Sequence, residues 1–178
     1  MDPRSLAALA LSCLALTWVR GADATQVGRS KDFGLGFAVG DPTSIVAKYF
    51  VSTENAFDFG LGFWRLGRRC RGPDDGRVCD GTGFGLLTFN MDYLWQQQII
   101  AGSGAKLDWH IGAGGRVWLW DDAAGGDFAL AARMPLGLDV TFPKPDFLEV
   151  FLEIAPAVYV VPDLDLDFDI FLGVRFYF

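Results

Sequence analysis

Apolar and polar residues alternate with a period of two along most of the chain beyond residue 30, a pattern that places each kind on its own face of an extended strand. The C-terminal stretch shows it most plainly. Leu166, Phe168, Ile170, Leu172, Val174, Phe176 and Phe178 share one wholly apolar face, while Asp167, Asp169, Phe171, Gly173, Arg175 and Tyr177 share the other. The same parity test predicts eight strands, at about 32–39, 44–51, 56–64, 83–95, 106–120, 128–142, 147–160 and 166–178. Turn-forming residues separate them: Asp41-Pro42-Thr43, Ser52 to Asn55, a long glycine- and charge-rich loop at 65–82, a polar link from Gln96 to Ala105, Asp121 to Asp127, Pro143-Lys144-Pro145, and Val161 to Asp165. The 128–142 segment is the clearest internal strand, and the second is the least certain, because Val46 and Phe50 are apolar on the face of Lys48.

Length and composition sharpen this picture. A chain of 178 residues is expected to hold one domain. Hydrophobic residues make up 51% and mean hydropathy is +0.26, yet no apolar run long enough for a membrane helix follows the N-terminus. The apolar residues are spread by alternation instead. Residues 1–24 read as a cleavable signal peptide, with Arg4, an apolar segment Leu6 to Val19 and an Ala22-Asp23-Ala24 cleavage site, so the domain is expected to span 25–178. The formal charge of −7 argues against nucleic acid as a partner. Of three cysteines, Cys13 lies in the leader, and Cys70 and Cys79 form an even pair in an exported chain. A disulfide is the favoured reading, contributing about 2–3 kcal/mol. A zinc site is poorly served by one histidine, His110.

An apolar strand face needs a second layer, a ligand-filled interior or lipid against it. The chain ends with Gly173, Val174, Arg175, Phe176, Tyr177 and Phe178. This resembles the C-terminal signal read by the insertion machinery of outer-membrane barrels, a glycine, two residues, an apolar residue, any residue and a terminal aromatic. Leu172 departs from it, standing where a polar residue is usual. With alternation along the whole of 25–178, the chain resembles the small eight-stranded barrels typified by the transmembrane domain of outer-membrane protein A and its short-loop relatives. The resemblance implies an all-β, eight-stranded antiparallel up-and-down transmembrane barrel in the outer membrane of a Gram-negative-type bacterium. It also implies a monomer without cofactors or metal, with membrane lipid and the insertion machinery as partners. With the N-terminus in the periplasm, the loops at 65–82, 121–127 and 161–165 face outward. Phe33, Phe57, Tyr93, Trp95, Trp109, Phe142, Phe176 and Phe178 then fall near the periplasmic ends of their strands, as an aromatic girdle would. A soluble lipocalin-like barrel would instead turn the apolar parity inward.

The barrel reading places Lys48, Asp58, Asp108, Arg116, Arg133, Glu149, Glu153 and Arg175 in a narrow interior, where ions must pair, and His110 beside them as a hydrogen-bonded lumen histidine. The lumen charge network is expected on the last four strands, among Arg116, Arg133, Glu149, Glu153 and Arg175, the glutamates lying between or diagonal to the paired arginines. Phe50, Phe84, Phe151 and Phe171 help to fill the lumen, which disfavours a pore. Lipid A-modifying barrel enzymes, the palmitoyltransferase and the deacylase, pair a histidine with a serine near the outer face. His110 falls in the periplasmic half of its strand, and Ser103 is its nearest serine in sequence. Pro135 and Pro156 each remove a ladder donor from neighbouring strands, resembling the proline-marked gaps of the palmitoyltransferase, although tolerated bulges explain them as well. Arg65, Arg68, Arg69 and Arg71 follow directly on Phe63 and Trp64 and suit lipopolysaccharide phosphates at the outer interface. The expected role is structural or surface-binding rather than enzymatic, with a lipid-acting enzyme or a small pore as the alternatives.

Overall fold

The computed structural model describes residues 26–64, 70–71, 78–79, 86–122 and 125–178; at 64, 70–71, 78–79, 86, 120–122 and 125–127 it describes the backbone alone. Its strands are β1 (Phe33–Asp41), β2 (Thr43–Phe50), β3 (Asn55–Trp64), β4 (Cys70–Arg71), β5 (Val78–Cys79), β6 (Leu86–Ala101), β7 (Lys106–Asp122), β8 (Gly125–Arg133), β9 (Leu136–Thr141), β10 (Leu148–Val161) and β11 (Asp165–Tyr177). Nine of them form one antiparallel sheet, in which β11 pairs with both β10 and β1, so the sheet closes on itself. Strands β8 and β9 both lie between β7 and β10, so the nine strands occupy eight places around a β-barrel. β4 and β5 make a separate two-stranded ribbon.

Three expectations change. The 128–142 strand is broken at Met134 and Pro135 into β8 and β9, because Pro135 has no N–H to give to the ladder. The break stays bridged: Gly112 N–H donates to Pro135 O at 2.8 Å, and Met134 N–H donates to Pro156 O at 3.0 Å. The polar link at 96–105 is mostly strand, since β6 runs on through Gln96, Gln97 and Gln98 to Ala101, paired to β7. A ladder needs backbone partners rather than apolar side chains, so strands run on where polar composition suggests a loop. For the same reason the 121–127 loop shortens, with β7 reaching Asp122 opposite Gly125.

The two faces of the ring are chemically opposite. Residues of the apolar parity point outward, with Phe37 55%, Leu172 59% and Phe178 71% exposed. On β2, Ile45, Tyr49 and Val51 are outward while Val46, Lys48 and Phe50 are buried. This is the reverse of the lipocalin arrangement. Among the described residues no second layer covers the outward face, although burying one such Leu or Phe side chain contributes about 1.5–3 kcal/mol. Aromatic residues pack edge to face across β3 and β6 near one rim, Phe57 against Tyr93 and Tyr93 against Trp95, both at 5.2 Å between ring centroids. At that rim Gln26 to Lys31 fold back in a turn with Gly28 at φ 71°, tucking Val27 against Phe50, Ala56 and Tyr177.

Candidate functional site

Alternation sends every second side chain of eight strand positions into one narrow space, and the sequence fills that space with ions. Lys48, His110, Asp139, Glu149 and Arg175 have no exposed surface, and Asp58, Asp92, Arg116, Arg133, Glu153 and Asp169 are almost as deeply buried. An unpaired buried charge is costly, so the pairing decides whether such an interior holds together.

The pairs form three layers between the Val27 rim and the opposite end of the ring. Nearest the rim, Arg175 Nη1 donates to Glu149 Oε1 at 2.7 Å and Arg175 Nη2 to Asp58 Oδ1 at 2.7 Å. Lys48 Nζ donates to Asp139 Oδ2 at 3.3 Å and to Glu149 Oε2 at 3.5 Å, and Tyr177 Oη donates to Glu149 Oε2 at 3.0 Å. In the middle layer the His110 ring lies between two carboxylates, Nδ1 at 2.6 Å from Asp139 Oδ2 and Nε2 at 3.2 Å from Glu153 Oε2. Glu153 Oε1 accepts from Arg133 Nη2 at 2.7 Å, and Asp92 Oδ2 lies 3.3 Å from Arg133 Nε. In the layer farthest from that rim Arg116 grips Asp169 with both terminal nitrogens, one contact being 2.8 Å. Such two-point forks are the strongest of the charged pairs.

Aromatic rings fill what the ions leave. The Arg175 guanidinium lies over Phe151 at 3.7 Å, and Arg133 lies 5.7 Å from the Phe171 ring. Two glycines make this density possible. A Cβ on Gly173 would meet the Phe151 ring at 2.4 Å, and one on Gly137 would meet the His110 ring at 2.5 Å.

All five residues proposed for the charge network lie in the lumen. Arg133 contacts Glu153 and Arg175 contacts Glu149, but the partner of Arg116 is Asp169 rather than a glutamate. Arg116 pairs in register with Ala131, two residues beyond Arg133 away from the Val27 rim, and that step carries it out of reach of Glu153 and up to Asp169. The network also extends past the last four strands: Lys48 on β2, Asp58 on β3 and Asp92 on β6 reach across the interior. Alternation signalled that these residues point inward, but contacts along a chord of the ring leave no trace in sequence spacing.

Other candidates sit elsewhere. Gly173 pairs with Ala38 and Phe151, while Phe176 and Phe178 are outward near the Val27 rim. Ser103 is exposed in the turn after β6, whereas His110 is fully buried. The β4–β5 backbone register sets Cys70 opposite Cys79 and Arg71 opposite Val78. Their side chains lie outside the described residues, as do Phe84, Arg65, Arg68, Arg69 and the leader.

A family model described as "Protein of unknown function (DUF3996)" matches residues 25–178. No curated protein matches the chain. Among solved structures the chain is similar to the crystal structure of Neisserial surface protein A (NspA), with 10% identity, a TM-score of 0.50, and coverage of 83% of this chain and 94% of that one. At that identity the likeness is one of fold.

Proposed function

The chain belongs to the DUF3996 family, whose description names no activity, and we propose from its own architecture that it is an integral outer-membrane barrel with a structural or surface-binding, non-enzymatic role. The observation that carries this reading is the inverted amphipathicity: a continuous outward apolar face around a closed, ion-packed interior. Backbone groups crossing lipid must be satisfied within the protein, and a sheet closed through β11 and β1 does that. The aromatic rim supports an interfacial girdle, and the C-terminal Gly173, Phe176 and Phe178 support recognition by the insertion machinery. The packed lumen argues against a pore. A catalytic His110 is not supported, since both ring nitrogens are held by carboxylates in a site without exposed surface.

Surface chemistry is assigned to the 65–82 loop. Arg65, Arg68, Arg69 and Arg71 suit the phosphates of lipopolysaccharide, and a Cys70–Cys79 bridge across the β4–β5 ribbon would lower the entropy lost on binding. Cell fractionation with surface proteolysis tests the reading. The protein is expected in the outer membrane, cleaved from outside within 65–82 and nowhere in the strands. Recovery in the soluble fraction would overturn it.

A further inference from the structure

At the rim holding the turn between β6 and β7, a cavity of about 440 Å³ opens between that hairpin, the turn after β2 and the N-terminal turn. Its wall includes Arg29, Thr53, Glu54, Gln96, Lys106 and Asp108. Gln96 and Asp108 are the deep members, 4% and 1% exposed. Two donors converge on a single oxygen: Gln96 Nε2 donates to Asp108 Oδ2 at 3.1 Å, and Lys106 Nζ lies 2.9 Å from the same atom. Asp108 Oδ1 and Gln96 Oε1 are left buried, with no hydrogen-bond partner among the described residues. The idle groups at this wall are therefore both acceptors.

The interior of the ring is rich in buried acid. Its buried carboxylates are Asp58, Asp92, Asp139, Glu149, Glu153, Asp167 and Asp169, against the cations Lys48, Arg116, Arg133 and Arg175. Among the described residues these carboxylates outnumber the cations even with His110 protonated. The wall thus offers two buried, unpaired acceptors to an incoming donor.

We propose that this cavity binds a primary ammonium group, of the kind carried by a linear alkylamine or a lysine side chain. An ammonium has three N–H donors and no acceptor, which fits Asp108 Oδ1 and Gln96 Oε1, with Glu54 in the same wall for the third. Lys106 is then a competitor, because its own ammonium already holds the other oxygen of Asp108. Exposure of the cavity to the periplasm rests on the orientation proposed above; the recognition chemistry does not.

The test is titration of the folded protein in detergent micelles with 1,5-diaminopentane, followed by NMR, with Nα-acetyl-lysine amide to tell a free amine from a lysine side chain and 1-pentanol as the uncharged control. Saturable shifts confined to the Gln96–Gln98 and Lys106–Asp108 amides are expected with either amine and none with pentanol. Asp108→Asn should weaken binding about tenfold, the loss of one charge-assisted contact, while retaining the heat-dependent gel shift of the folded barrel. Lys106→Met should tighten it, a sign that a merely structural role for Lys106 would not produce. No saturation, equal binding of pentanol, or weaker binding in Lys106→Met would overturn the proposal. An epitope in the Gly102–Ala105 turn reports orientation separately: detection on intact cells would overturn the topology and leave the ammonium site standing.

Discussion

Glu153 offers the sharpest way to perturb the lumen. It is 2% exposed, and its two oxygens serve two partners, Arg133 at 2.7 Å and His110 at 3.2 Å. Glu153→Gln keeps the volume and one acceptor but removes the charge. Arg133 would then depend on Asp92 at 3.3 Å and Asp169 at 3.8 Å, contacts longer than the one lost. Breaking a buried pair from one side costs about 3–5 kcal/mol; because these two carboxylates remain, the lower end applies, about 3 kcal/mol. With a urea slope of about 2 kcal/mol/M, the unfolding midpoint should fall by about 1.5 M. The assay is a urea titration of residues 25–178 folded in vesicles, read by the heat-dependent gel shift and tryptophan fluorescence. Asp163→Asn, at an exposed turn position, is the control and should leave the midpoint unchanged. Equal midpoints for the two variants would refute the inward, paired assignment of Glu153.

Gly173→Ala places a methyl group where the Phe151 ring lies 2.4 Å away and should destabilise the barrel by about 1–3 kcal/mol in a purified refolding assay; a loss seen only in cells would show that the glycine serves assembly alone. Alkylation and mass measurement of exported protein should find no free thiol at Cys70 or Cys79 until a reductant is added. Replacing Arg65, Arg68, Arg69 and Arg71 with glutamine should weaken lipopolysaccharide retention without altering folding in phospholipid, as gel retention assays would show. Planar bilayers holding the protein should show no steady conductance above background, since the lumen is packed with paired side chains.

The residues explain which features were legible in advance. Period-two alternation needs only local sequence, so the inward placement of Lys48, Asp58, Arg133 and Glu149 could be read directly, and Leu166 to Phe178 announced their two faces without ambiguity. The strand ends were harder, because Gln96 to Gln98 have loop-like composition yet remain paired to β7 through backbone groups that composition does not report. Pro135 was visible as a missing donor, but whether a ring bends or breaks there depends on the partners Gly112 and Pro156, which come from other strands. Least legible was partner choice inside the lumen. Arg116 with Asp169, and Arg175 with Asp58, are separated by more than fifty and more than one hundred residues, respectively. They meet only because strand stagger brings them to one height in the ring.

The central claim is that the apolar face of this ring meets lipid and the polar face is sealed inside. Nitroxide scanning along β11, in a Cys70→Ser, Cys79→Ser background folded in phospholipid vesicles, tests it most directly. Labels at Ile170, Leu172 and Val174 should show high collision with oxygen and little with a water-soluble nickel reagent, whereas a label at Phe171 should be shielded from both. Even positions shielded and Phe171 open to the nickel reagent would contradict the account and leave a water-soluble barrel with its apolar residues turned inward.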